Sequence, residues 1–250
     1  MNEPSAPSRW LFAHRVESAA LIGGIGFFFF LITPVHFTRL MAKVFGGPEE
    51  TMVRSMYMAL AVLNALASFI RIWAGGTLGG ARMMSVHVQT AQLITSGPYR
   101  HVRNPIYLAD ILTLAGMGLV VPLPGSLLVW FLLLALYPKL MAYEEWNLTQ
   151  NLGQPYRDYC CRVPRLIWRF SASPFPPSGN RFDLSEGLVN NFIYLPLVPG
   201  FLVCAATGRL WHGVAVGAVG PLGWIALHFW RNFKRGGLAG DQRHHERKGI

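Results

Sequence analysis

Three short polar stretches hold most of the residues here that could do chemistry. The first is Gly97-Pro98-Tyr99-Arg100-His101-Val102-Arg103-Asn104-Pro105-Ile106-Tyr107. Asn104 suits a helix cap, and Pro105 suits the first helical position, where its missing N–H costs nothing. The free N–H groups of such a first turn attract anions. With Arg100, His101 and Arg103 just before it, the turn could hold a carboxylate or a phosphate. The same residues would serve as a basic membrane anchor, with Tyr99 and Tyr107 at headgroup level. The second stretch is Glu144-Glu145, expected at the end of an apolar run. There the carboxylates would oppose the helix dipole, a mild cost that makes a functional role plausible. They could accept hydrogen bonds from ribose hydroxyls or an ammonium group, or form a solvated helix end. The third is Gly153-Gln154-Pro155-Tyr156-Arg157-Asp158-Tyr159, leading to Arg162-Val163-Pro164-Arg165. Tyr156 and Tyr159 share a helical face. They could wall an adenine or thioether pocket, or sit in an aromatic belt. Asp110 stands one turn beyond Tyr107 inside an apolar run. An ionisable group there is either functional or the partner of a nearby Arg.

The elements that position these residues are membrane-length. The chain is 52% hydrophobic and only 14% charged, against about 25% charged in a typical soluble domain. Mean hydropathy is +0.33. Six candidate spans are expected, at about 19–35, 52–73, 105–121, 126–143, 189–207 and 210–230. The fold class expected is an all-α, polytopic membrane helix bundle. Its cofactor pocket would lie at the cytoplasmic face, with no Rossmann domain, because Gly24-Ile25-Gly26 and Gly75–Gly80 lack a strand-loop-helix setting. The organisation expected is N-terminal spans over 1–73, a core over 74–170, and a linker, two spans and a basic tail over 171–250.

Formal net charge is +10, but the cations cluster between apolar runs. They suit orientation and anionic headgroups, not nucleic acid. Arg71, Arg82, Arg100, Arg103, Arg157, Arg162, Arg165, Arg169, Arg181 and the tail cations fall on one side of a six-span arrangement. Both termini are therefore expected in the cytoplasm. Cys160, Cys161 and Cys204 show no metal spacing and no disulfide framework, so no metal site is expected. Gly213 and Gly217 form a small-residue pair suited to helix packing. His244-His245 lies in a polar tail and reads as solvated.

Taken in order, from about Ile70 to Trp168, these motifs resemble the isoprenylcysteine carboxyl methyltransferase family and its phospholipid methyltransferase relatives. Leu93 to Tyr99 is similar to that family's approach to its cofactor. Arg103-Asn104-Pro105-Ile106-Tyr107 is similar to its Arg-His-Pro-x-Tyr element. Glu144-Glu145 and the Gly153–Pro164 run are similar to its carboxyl-terminal signature. The resemblance implies S-adenosylmethionine as cofactor and methyl transfer as reaction. By position it implies contacts from Gln92, Leu93, Ile94, Tyr99, Asn104, Pro105, Tyr107 and Glu144, with Tyr156 and Tyr159 added on chemical grounds and His101 and Glu145 counted with the cofactor-binding set. Asp110, Arg103 and Tyr107 are the residues assigned to catalysis.

Asn104 replaces the family's usual His, and Ala109 its usual Gly. Leu140 stands where an Arg would clamp a prenylcysteine carboxylate. A lipid amine is therefore favoured slightly over that carboxylate as acceptor, entering between spans three and four. Expected partners are a lipidic or small hydrophobic substrate and membrane lipids, in a bacterial inner membrane. The alternatives are an NADPH-dependent reductase of the sterol-reductase type and a non-enzymatic membrane scaffold. For the reductase, Arg100, Arg103, Arg162 and Arg165 would hold the 2′-phosphate.

Overall fold

A computed structural model describes residues 6–29, 32–33, 37–46, 48–79, 92–223 and 226. Arg82 and the basic tail, including His244-His245, lie outside the described residues. Ten α-helices are delimited among the described residues, helical backbone resumes at 219–223, and no strand occurs among them. In chain order they are α1 (Ala6–Ala13), α2 (Arg15–Phe28), α3 (Phe37–Phe45), α4 (Glu49–Leu78), α5 (Pro105–Gly118), α6 (Leu123–Leu152), α7 (Gln154–Arg162), α8 (Leu184–Asn190), α9 (Leu197–Thr207) and α10 (Leu210–Gly217).

The helices α4 and α6 are each 30 residues long and apolar enough to cross a membrane. At 1.5 Å per residue each is about 45 Å long, longer than the roughly 30 Å hydrocarbon core. Their ends must therefore project. Large apolar side chains on α4, Met58, Val62, Leu66 and Phe69, are exposed at helical spacing. Such a stripe suits lipid, not water. The opposite face of α4 packs on α5, α8 and α9. The shorter apolar helices α5 and α9 complete this part of the bundle.

Polar groups mark both ends of α4. At its start Arg39 pairs with Glu49 at 3.2 Å and Arg54 with Glu50 at 2.8 Å. Arg54 also donates to the carbonyls of Ala205 and Ala206, capping the last turn of α9. Arg71 lies near the far end. Counted from Leu123, Glu144 falls about 32 Å along α6, level with the far edge of a hydrocarbon core. A hydrocarbon core that began at the first residue of α6 would therefore end close to the polar site.

Several element limits differ from those expected. The first span ends at Phe28, and the amphipathic helix α3 occupies the expected loop. The fifth span is broken by a turn at 191–196, because Pro196 follows the half-turn at Asn191. Of the sixth, α10 reaches Gly217, and most of what lies beyond Gly223 is outside the described residues. Most importantly, α6 does not end at Tyr143. It runs on to Leu152, so Glu144 and Glu145 lie two turns inside the helix and the dipole argument does not apply to them. Gly213 packs directly on Gly200 and Cys204, an internal contact between α9 and α10.

Candidate functional site

The hairpin of α5 and α6, joined by the turn at Leu119–Pro122, carries the two central motifs. Asn104 stands at the N-cap position of α5, with Pro105 at its first turn. Its side chain does not cap the helix. Instead the Asn104 amide donates to Glu145 Oε1 at 3.1 Å and to the Arg165 carbonyl at 3.2 Å. Arg165 closes on the same carboxylate, Nη2 to Oε2 at 3.1 Å. Arg103 stands 3.8 Å away on the other side. Glu145 is thus a buried hub shared by α5, α6 and the segment after α7. Its partners explain why the carboxylate tolerates burial: removing a charge from water is costly unless it is paired and hydrogen-bonded. Burial pulls the Arg103 guanidinium pKa down, but Glu145 and Cys160 more than offset this and hold it above its usual value.

One residue earlier, Glu144 faces Tyr107 side chain to side chain. The Tyr107 ring meets Tyr137 edge-on at 6.0 Å. Arg15, at the start of α2, adds positive charge felt by Glu144, Tyr107 and Asp110. One turn deeper, Asp110 is ion-paired with Arg71 of α4 and hydrogen-bonded to Tyr194. The Arg71 guanidinium carbon lies over the Tyr194 ring, 4.1 Å from its centre. Of the two roles open to Asp110, the geometry supplies the Arg partner.

The other predicted residues form the surroundings. Tyr156 and Tyr159 are buried against Val163, with Leu93 packed on them. The Tyr159 hydroxyl donates to the Tyr99 carbonyl at 2.7 Å. Burial pushes both hydroxyls up, so they stay neutral donors. Burial, then the Glu144 charge, pushes Tyr99 up as well. Ile94 packs with Ala74 and Tyr99. Gln92 is at the rim, reaching the Ser178 carbonyl at 3.3 Å. His101 lies flat on Trp168, ring centres 5.0 Å apart, and bonds the Arg169 carbonyl. The 3₁₀ turn at 97–100 packs closely on α4. Gly97 has φ +57, and a Cβ there would stand 2.6 Å from Thr77 Oγ1, so only Gly fits. Leu140 is buried among Leu11, Phe12 and Ile22, with no Arg at that position.

Tyr159→Phe removes the donor that satisfies the buried Tyr99 carbonyl. It should cost about 1–3 kcal/mol of stability, measured by denaturant unfolding in detergent. No change would show that the carbonyl finds another donor.

Sequence reasoning treated Arg71 and Arg165 mainly as loop charges and left Tyr194 unassigned. The signal for Arg71 was its place near Asp110 inside the bundle, where two ionisable groups seek each other. Arg165 had no local signal, because its partner is 20 residues away in sequence. Of the four arginines read as a 2′-phosphate cluster, Arg103 and Arg165 pair with Glu145 and Arg100 donates to the Ser173 carbonyl.

Comparison with known proteins points to one segment, which runs from the first third of α4 through α5 and α6. Residues 55–154 match the model of the phospholipid methyltransferase family. This family segment contains Asn104, Tyr107, Asp110, Glu144 and Glu145, and stops before Arg165. Two curated proteins are similar over about the same length. One is the nickel-cobalt-cadmium resistance protein NccN of Alcaligenes xylosoxydans xylosoxydans, 24% identical over 49% of this chain and 55% of its own. The other is the cobalt-zinc-cadmium resistance protein CzcN of Cupriavidus metallidurans, 28% identical over 49% of this chain and 54% of its own. The chain thus spans about half the length of these curated relatives. No solved structure matches. Among the described residues no group of three His, Cys, Asp or Glu could hold a metal ion.

The residues present fit the cofactor such a methyltransferase uses. Arg103 Nε is a buried donor without an acceptor, and the carboxylate of S-adenosylmethionine would supply one. Glu144 could accept from its ammonium or ribose hydroxyls.

Proposed function

We propose that this protein is an integral membrane S-adenosylmethionine-dependent methyltransferase acting on a lipidic or small hydrophobic acceptor. The observation that carries this reading is the Asn104–Glu145–Arg165 hub beside the Tyr107–Glu144 pair, within the family segment, at the membrane edge of α5 and α6. When bound, the cofactor supplies a methyl group on a sulfonium, open to in-line displacement. The protein's own task is placement and exclusion of water, where orientation alone can supply about 7–11 kcal/mol.

Glu145, clamped by Arg165 and Asn104, fixes the separation of α5 and α6. Tyr107 and Glu144 face the cofactor. Arg103 holds its carboxylate end. Asp110, held by Arg71 and Tyr194, orients the acceptor's reactive group and is less suited to take a proton freely. A neutral amine, thiolate or carboxylate needs little further acid-base help. Leu140 supplies no bidentate clamp for a carboxylate, which favours an amine. The names of the two relatives connect them with metal resistance, and among the described residues no arrangement of ligands extends that to this chain.

The reading is tested with purified protein: S-adenosylhomocysteine should bind by calorimetry and NADPH should not. Binding of NADPH alone would support a reductase instead. The clustering of loop cations favours a topology with both termini in the cytoplasm. Reporter fusions after Gly46 and at the carboxyl terminus should then report opposite sides. Reporters on the same side would defeat the six-span topology.

A further inference from the structure

An apolar cavity of about 380 Å³ lies deeper in the bundle than the site. Its walls come from α2, the far half of α5, the 193–201 segment and α10. Two of these walls belong to the region after residue 154, outside the family segment. The volume is that of a ligand pocket. Thr113 and Tyr194 carry the only side-chain hydroxyls on its lining.

The cavity is in register with the site. Along α5, Tyr107 faces Glu144, Asp110 follows one turn on, and Thr113, Leu114 and Met117 line the cavity. At 1.5 Å per residue, Met117 lies about 15 Å beyond Tyr107. Tyr194 joins the two regions, since it lines the cavity and bonds Asp110. Arg71 and Asp110 neutralise each other, so the pair that Tyr194 joins to the cavity offers polarity without net charge. A glycine wall keeps it open. A Cβ at Gly23 would point toward Met117 and Leu114 at 3.8 and 3.9 Å, and one at Gly217 toward Leu197 at 3.6 Å. Both positions are ordinary van der Waals contacts, so larger side chains could be placed there to fill the space.

We infer that this cavity receives the hydrocarbon tail of the methyl acceptor, with the reactive group held at the level of Asp110 and Tyr107. The inference rests on the methyltransferase reading for the identity of the head, and adds the class of the tail. It routes the tail along the face of α5 turned to α2 and the carboxyl-terminal helices, not between α5 and α6. It also gives those helices a role: they build the wall that selects the acceptor.

The test uses the full chain in lipid nanodiscs and straight-chain amines, octyl to hexadecyl, with a diazirine at the chain end. Photolabelling should fall on peptides containing Gly23, Met117 or Phe201, and should strengthen with chain length. Gly23→Leu and Gly217→Leu, from opposite walls, should each weaken it by about ten-fold or more, with S-adenosylhomocysteine affinity within about two-fold of wild type. If one variant does not fold, the other decides. Labelling elsewhere overturns the inference. So does equal labelling by a diazirine phospholipid of the disc that excess amine does not displace, because the cavity then holds a bilayer lipid. Failure of wild type to bind S-adenosylhomocysteine overturns the methyltransferase reading, and the labelling pattern still decides the cavity.

Discussion

Arg71→Leu and Asp110→Leu should each lower the unfolding free energy by about 3–5 kcal/mol, and the double Leu variant should recover most of that loss. The two side chains are nearly nine-tenths buried and pair with each other. Removing one leaves an uncompensated charge among apolar neighbours, whereas removing both leaves only a packing change. The Tyr194 ring, stacked under Arg71, should make Arg71→Leu the costlier single change. Unfolding in detergent checks this, and simply additive losses would show that the pair is not coupled. The double variant also separates structure from chemistry. If it folds and turns over like wild type, Asp110 has no part in the reaction. If it folds and cofactor affinity holds but turnover falls sharply, Asp110 positions the acceptor.

Glu144→Gln should weaken S-adenosylhomocysteine binding by about 1.5–3 kcal/mol, or roughly ten- to 150-fold. Its partner in the structure is Tyr107, which leaves carboxylate capacity for a ligand. Glu145 is different, since Asn104, Arg103 and Arg165 all converge on it. Glu145→Gln keeps an acceptor for these donors but loses the charge, so its first effect should be on stability, with a smaller effect on affinity. Equal binding by wild type and Glu144→Gln, measured by calorimetry, would remove Glu144 from the cofactor site.

The sequence made the α5–α6 hairpin legible because its apolar runs are bounded by Asn104-Pro105 and by Pro122-Leu123-Pro124-Gly125. Local rules govern such boundaries. The length of α6 was less legible. Hydropathy falls after Tyr143, but Glu145, Thr149 and Leu152 continue the same helix, held by tertiary packing and by the hub. The amphipathic α3 was missed because its nine residues resemble a loop in any window wide enough to find a span. At the site, the motifs announced Asn104, Tyr107 and the two glutamates. They could not announce which glutamate bonds which partner. That depends on Arg165 and Arg103 arriving from segments far apart in the chain, information that no periodicity carries. The fate of Tyr156 and Tyr159 was likewise open. They are neither exposed belt nor bare pocket wall but a small core under the site.

The Glu145 hub also sets where this protein could be cut and grafted. The family segment ends at residue 154, yet the carboxylate at its centre is closed by Arg165. The 92–96 stretch is likewise pinned by Pro176 and Ser178, through Thr95 and Ser96. A chimera joined at residue 154 would import a hairpin whose buried carboxylate must find a new counter-ion in its host. One joined after Ser178 carries its own. The family match and structural autonomy therefore have different borders in this chain, and domain exchange should follow the second.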